Sequence, residues 1–131
     1  MPASLKIKQL TPVLIVDAVE PCVAFWVEKL GFEMTQSVPA GDGTLVFAIV
    51  AKDGIEVMYQ TRASVAAESP AIAPELTGHS TSLFLQVESL DDIELAVAGA
   101  PVFKARHKTF YGSEEIYVRE PGGNLVGFAQ F

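Results

Sequence analysis

One pattern is written twice in this chain, and that repetition limits the folds open to it more than any single motif does. "VDAVEPCVAFW" (residues 16–26) lies over "VESLDDIELAV" (87–97) without a gap, Val16 falling on Val87, 71 residues on. An apolar, strand-like run precedes each stretch and three strand-like segments follow it. Few residues are shared but the order is the same: strand, capped helix, three strands, then again.

In the first half, "LTPVLIV" (10–16) is β-branched and apolar, with Pro12 suited to an edge strand where a missing N–H does no harm. Asp17 is placed to cap a helix predicted over residues 18–30. Val19, Val23, Trp26 and Leu30 recur at helical spacing, Pro21 fits the first turn, and Gly31 stops it. "FEMTQSV", "TLVFAIVAK" and "IEVMYQT" read as strands, separated by the turn sequences "PAGDG" and "DG", the second suiting a two-residue hairpin. Residues 62–80 hold no sustained period and two prolines, and read as a connector with one helical turn. In the second half, "TSLFLQV" is a strand and Ser89 caps a helix over 89–98 with Leu90, Ile93 and Val97 inward. "PVFKARHKTF", "EEIYVRE" and "LVGFAQF" complete the set, with "GGN" as a turn. The expected class is α+β, one domain over 1–131 made of two βαβββ modules (about 5–61 and 81–131).

A βαβββ module covers one sheet face with its helix and leaves the other bare. Four strands with an uncovered face need a partner, and two modules whose bare faces enclose a cleft meet that need. Such a cleft is a ligand pocket.

Composition removes several function classes. Sixteen acidic against nine basic residues give a net charge of −7, unsuited to nucleic acid. An acidic cleft would instead concentrate a cationic ligand. No apolar run reaches the roughly 18 residues of a membrane span. The start, "MPASLKIKQL", lacks the apolar segment of a signal peptide, so a cytoplasmic location is expected by default. The single Cys22, inside a helical pattern, reads as a small core residue. With two histidines and one cysteine in these contexts, no nucleophilic triad can be assembled.

"PVLIVD", "FWVEKLGFE" (25–33) and "YGSEEIYVREPGGNLV" (111–126), with the spacing between them, resemble the vicinal-oxygen-chelate superfamily, the glyoxalase, bleomycin-resistance and extradiol dioxygenase fold. The similarity covers almost the whole chain and is nearest in appearance to the bleomycin-resistance branch. It implies paired βαβββ modules, within a chain or swapped between subunits, and a homodimer. It also implies four strand positions where enzymes of the superfamily hold a divalent ion. Here these carry Leu10, Glu56, Ser82 and Gly127. Leucine and glycine have no donor side chain and serine is a poor substitute for imidazole. No metal and no other cofactor is therefore expected, a divalent metal being the alternative. His79, three residues from Ser82, would face the other way on a strand and reads as a loop residue, and His107 as part of a solvated basic segment.

Strand alternation then assigns the cleft wall. With Glu56 inward, Met58 and Gln60 follow, while Ile55, Val57 and Tyr59 face the helix. The same parity gives Leu10, Pro12 and Leu14 on the first strand, Ser82, Phe84 and Gln86 on the fifth, and Leu125, Gly127 and Ala129 on the last. Gly127 and Ala129 are expected to leave room, and Phe110, Tyr111 and Tyr117 to offer aromatic surfaces. The expected ligand-binding set is thus Leu14, Glu56, Met58, Ser82, Phe84, Gln86, Tyr111, Gly127 and Ala129. Glu56 is the residue to bind a cation or act as a general base, its bland alternative being an ion pair with Arg62. The expected function is a metal-free protein that sequesters a small molecule, cationic or aromatic. The rival is a lyase, isomerase or dioxygenase using Glu56, and a third possibility is a structural dimer with a vestigial cleft.

Overall fold

β-branched and apolar residues at alternate positions, broken by Gly, Pro and Asp turns, settle into eight strands in two equal groups. In the computed structural model, residues 5–131 are described. The reading of the first ten residues falls in part on 1–4, outside the described residues. The first group is β1 (Val13–Val16), α1 (Glu20–Ala24), β2 (Glu33–Pro39), β3 (Leu45–Lys52) and β4 (Ile55–Thr61). After α2 (Arg62–Glu68) and a 3-10 turn at Ala73–Glu75 come β5 (Ser82–Gln86), α3 (Leu90–Ala96), β6 (Val102–Lys108), β7 (Glu114–Arg119) and β8 (Leu125–Gln130). The sheets run β1-β4-β3-β2 and β5-β8-β7-β6. In each, the first strand lies parallel to the last and the other pairings are antiparallel. This is the two-module α+β fold expected from the repeat.

The turn chemistry performs as its residues dictate. Asp53 and Gly54 both take positive φ (53° and 77°), the backbone of a two-residue hairpin matched to strand twist. Ser89 Oγ accepts from the Asp92 amide at 3.1 Å and caps α3. The first helix departs from expectation. It starts at Glu20 behind Val19, with no side-chain cap, and Asp17 is drawn away to Arg62 at 3.2 Å. From Phe25 to Lys29 it widens into a π-helix. Adjacent residues diverge by about 100° on an α-helix, and the wider turn accompanies burial of both Phe25 and Trp26. The connector holds more helix than foreseen. Its α2, capped by Thr61 on Ser64 N at 3.2 Å, is rich in alanine, which leaves little hydrophobic period to read.

The modules meet through their helix-bearing sides. One apolar core joins Leu14, Val16, Trp26, Val57 and Tyr59 of the first to Leu90, Val97, Val118, Val126 and Phe128 of the second. Through this core runs a buried polar chain. Trp26 Nε1 donates to Tyr59 Oη at 2.8 Å, and Tyr59 Oη donates to Glu120 Oε2 at 2.5 Å. Glu120 Oε1 accepts from the Asn124 amide at 2.7 Å and from Asn124 Nδ2 at 3.1 Å. Gly122 lies so close that a Cβ would collide with Val16, so the "PGGN" turn seats directly on the first module. Asn124 and Gly122, foreseen as turn residues alone, therefore join the modules as well.

Tyr59→Phe should isolate both ends of this chain. A buried indole N–H and a carboxylate oxygen would each lose a partner, at a cost of about 3 kcal/mol in stability. Urea unfolding followed by the fluorescence of the single tryptophan is expected to show a lower midpoint at unchanged slope. An unchanged midpoint would mean that the chain contributes nothing to stability.

Candidate functional site

Because the helix-bearing sides share one core, each module's other sheet face is left outside it. Within one chain the two bare faces therefore do not enclose a cleft with each other. The apolar helix sides take the intramolecular contact, and the opposite faces point away from it.

On the first module this face carries Val13, Ile15, Phe47, Ile49, Glu56, Met58 and Gln60, as the register pairs Met58 with Val13 and Ile49, and Gln60 with Ile15 and Phe47. Glu56 and Met58 share it, as strand parity required. Leu14 does not. It pairs with Tyr59 and is 7% exposed in the common core, so its assignment to the cleft is corrected. The parity was carried across from β4 one residue out of step, and the parallel register of β1 is what reverses it. Leu10 precedes β1 and is 88% exposed. Glu56 Oε1 accepts from Gln9 Nε2 and Thr11 Oγ1, each at 3.2 Å. Arg62 is not its partner, being held by Asp17 and the Leu76 carbonyl. α2 lies over one end of this face, where Gln60 Nε2 donates to Ser64 Oγ at 2.9 Å and Val65 is buried.

The second module's face is built from Ser82, Phe84 and Gln86 of β5, Leu125, Gly127 and Ala129 of β8, and Glu115 and Tyr117 of β7. The expected β5 and β8 residues therefore share one face. Gly127 does not leave open space there. A Cβ at that position would collide with the Tyr117 ring, which fills the room the glycine creates. Ala129 is fully buried, while Ser82, Phe84 and Gln86 are exposed.

The residue missed from the sequence is Glu115, the one carboxylate deep in this face, at 2% exposure. Tyr111 Oη donates to its Oε2 at 2.6 Å, Ser113 Oγ to the same oxygen at 2.8 Å, and Tyr117 Oη to Oε1 at 3.3 Å. Burial pushes this carboxyl up, but the three hydroxyl donors, joined by the His107 charge across on β6, outweigh it and hold the group below its usual range. The hydrogen bond to Glu115, then desolvation, raises the Tyr111 phenol; desolvation, then the Glu115 charge, raises that of Tyr117. The signal was present in "YGSEEIY": three hydroxyl residues at alternate positions around a carboxylate, two in the turn before β7 and one on it. Tyr111 sits at the rim, 50% exposed, flanked by Phe110 and Phe131 at ring-centroid distances of 5.1 and 6.4 Å.

Within one chain, the four positions at which the resemblance implies an ion lie apart. Glu56 and Ser82 stand on different sheets, Leu10 lies before β1, and Gly127 is roofed by Tyr117. Among the described residues, no three His, Cys, Asp or Glu side chains are gathered closely enough to share an ion. His79 Nδ1 lies 3.1 Å from Asn124 Oδ1, tied to the turn that joins the modules. His107 Nδ1 donates to the Ala105 carbonyl at 2.8 Å. Cys22 is buried, and desolvation with the nearby Glu120 charge pushes its thiol far up, away from reactivity. A groove of about 390 Å³ opens between the Lys52–Asp53 hairpin and the β5–α3 corner, over Phe32, Leu85 and Ile93, and Gln86 also lines it. No helix among the described residues is long and apolar enough to cross a membrane.

The geometry can be set beside known proteins. A profile of the Glyoxalase/Bleomycin resistance protein/Dioxygenase superfamily matches residues 6–128. No curated protein matches the sequence significantly. Among solved structures the chain is similar to TioX from Micromonospora sp. ML1, with 21% identity over 94% of this chain and 98% of that one and a TM-score of 0.73. It is also similar to a glyoxalase/bleomycin resistance protein/dioxygenase family enzyme from Burkholderia phytofirmans PsJN, with 17% identity over 92% and 95% and a TM-score of 0.74. Lactoylglutathione lyase from Agrobacterium tumefaciens gives 18% identity over 99% and 95%, with a TM-score of 0.70. At such identities the likeness is one of fold. The matched span takes in both modules and the segment joining them, and the chain belongs to the Glyoxalase/Bleomycin resistance protein/Dioxygenase superfamily.

Proposed function

We propose that this protein is a metal-free small-molecule-binding member of the superfamily that sequesters its ligand rather than transforming it. The observation that carries the reading is the donor set. Of the four positions implied for a divalent ion, only Glu56 offers a strong donor, and a single carboxylate does not fix a catalytic metal. What remains on the open faces is apolar and aromatic wall with a few convergent polar groups: Met58 and Glu56 on one, Phe84, Gln86, Ser82 and Tyr111 on the other. Small-molecule sites are made of such surfaces.

The outward direction of both faces supports a homodimer in which the first module of one copy covers the second module of its partner. Exposed Val13, Val38, Phe84 and Phe103 give the two faces apolar area to bury. A second reading, an isomerase or lyase with Glu56 as base, draws on one observation. Among the described residues no cation lies within ion-pair distance of Glu56, which leaves its carboxylate able to take a proton.

Four measurements test these readings. Elemental analysis of purified protein should find nickel, zinc, iron and manganese well below one equivalent; a near-stoichiometric ion removable only by chelation would restore metal chemistry. Sedimentation at micromolar concentration should give twice the chain mass, and a monomer there would leave both faces open and the cleft unformed. Native mass spectrometry should reveal a retained small molecule. For that molecule Glu56→Gln is expected to weaken binding by about 1.5–3 kcal/mol, the scale of a hydrogen bond to a charged group, read by calorimetry at fixed ionic strength.

A further inference from the structure

The open face of the second module holds a built acceptor that deepens the binding reading above and rests on it. Glu115 is buried to 2% exposure, yet no lysine or arginine among the described residues reaches it within ion-pair distance. Its acceptors are occupied by hydroxyls alone, from Tyr111, Ser113 and Tyr117. His107, opposite it on β6, turns Nδ1 to its own strand's Ala105 carbonyl.

This arrangement fixes where the phenol protons point. Tyr111 donates inward to Glu115, so its oxygen offers only lone pairs to whatever approaches from the exposed side. The carboxylate behind it makes that oxygen a stronger acceptor, because hydrogen bonds in a chain polarise one another and a buried charge is little screened. Phe110, wholly exposed, and Phe131 flank the Tyr111 ring and provide π-faces. An anion meets repulsion here, and a neutral donor gains only an ordinary hydrogen bond. A protonated amine gains both a charge-assisted bond and the ring quadrupoles.

We propose that the Tyr111 hydroxyl, backed by Glu115 and flanked by Phe110 and Phe131, recognises the protonated amine of an arylalkylamine ligand. Glu115 acts through Tyr111 and Tyr117 as a positioning residue and sets the sign of charge the site accepts. The oxygen that meets the ligand is that of Tyr111.

The test compares two probes of the same shape by calorimetry at pH 7.5: 1-naphthylmethylamine, a cation, and 1-naphthalenemethanol, which is neutral. The native protein should bind the amine about tenfold more tightly, the scale of one charge-assisted over one neutral hydrogen bond. Glu115→Gln should abolish that preference, an outcome that a merely structural Glu115 would not give. Should Glu115→Gln fail to fold, Tyr111→Phe at the half-exposed rim removes the same acceptor and should show the same loss. Equal binding of both probes by the native protein, or a preference surviving both substitutions, overturns this assignment while leaving the cleft reading intact. If neither probe binds at all, the assignment falls, while the cleft reading is decided by the retained molecule in native mass spectrometry.

Discussion

A carboxylate shared between two halves holds this molecule in register. Glu120 leaves the second module's hairpin and takes the Tyr59 hydroxyl of the first, while Asn124 closes its remaining oxygen. A buried charge without such partners would cost several kcal/mol, so the modules can meet only where Tyr59, Trp26 and the "PGGN" turn coincide. Shape enforces the same answer, since Gly122 admits Val16 at a distance that no side chain would permit. Apolar area drives the modules together, and the polar chain selects one orientation.

That orientation decides where recognition can occur. With both helix sides consumed by the common core, the remaining sheet faces are the surfaces on which Glu56 and Glu115 stand. The two are unlike. Glu56 is partly open and lightly held by Gln9 and Thr11, whereas Glu115 is enclosed and triply bonded. The first face is also narrowed by α2, which has no counterpart on the second. Two modules of the same strand order thus present different surfaces.

The frame was legible because its signals are local. Asp-Gly, Gly31 and Ser89 act within a few residues of themselves, and the repeat of element order reports the topology directly. The site was legible only in part. Strand parity placed Ser82, Phe84, Gln86 and Gly127 on one face, because residues two apart on a strand must share a side. It failed for Leu14, where the face depends on parallel register with β4, a fact set by tertiary packing. Asp17 was read as a cap, but Arg62, 45 positions later in the chain, competes for it. Gly127 was read as empty space because a glycine's neighbour cannot be known before Tyr117 is seen across the strand. Glu115 was passed over because its partners become a cage only when the turn at Tyr111–Ser113 folds back over it.

The common core also changes what the connector is for. Residues 70–81 are largely exposed and carry none of the contacts between Tyr59, Glu120, Val16 and Gly122. Covalent continuity there supplies effective concentration, holding two complementary halves within reach, while the cohesion resides in surfaces on either side of it. A backbone nick in this stretch is expected to leave the halves bound as a noncovalent pair, since the buried contacts that join them lie outside it.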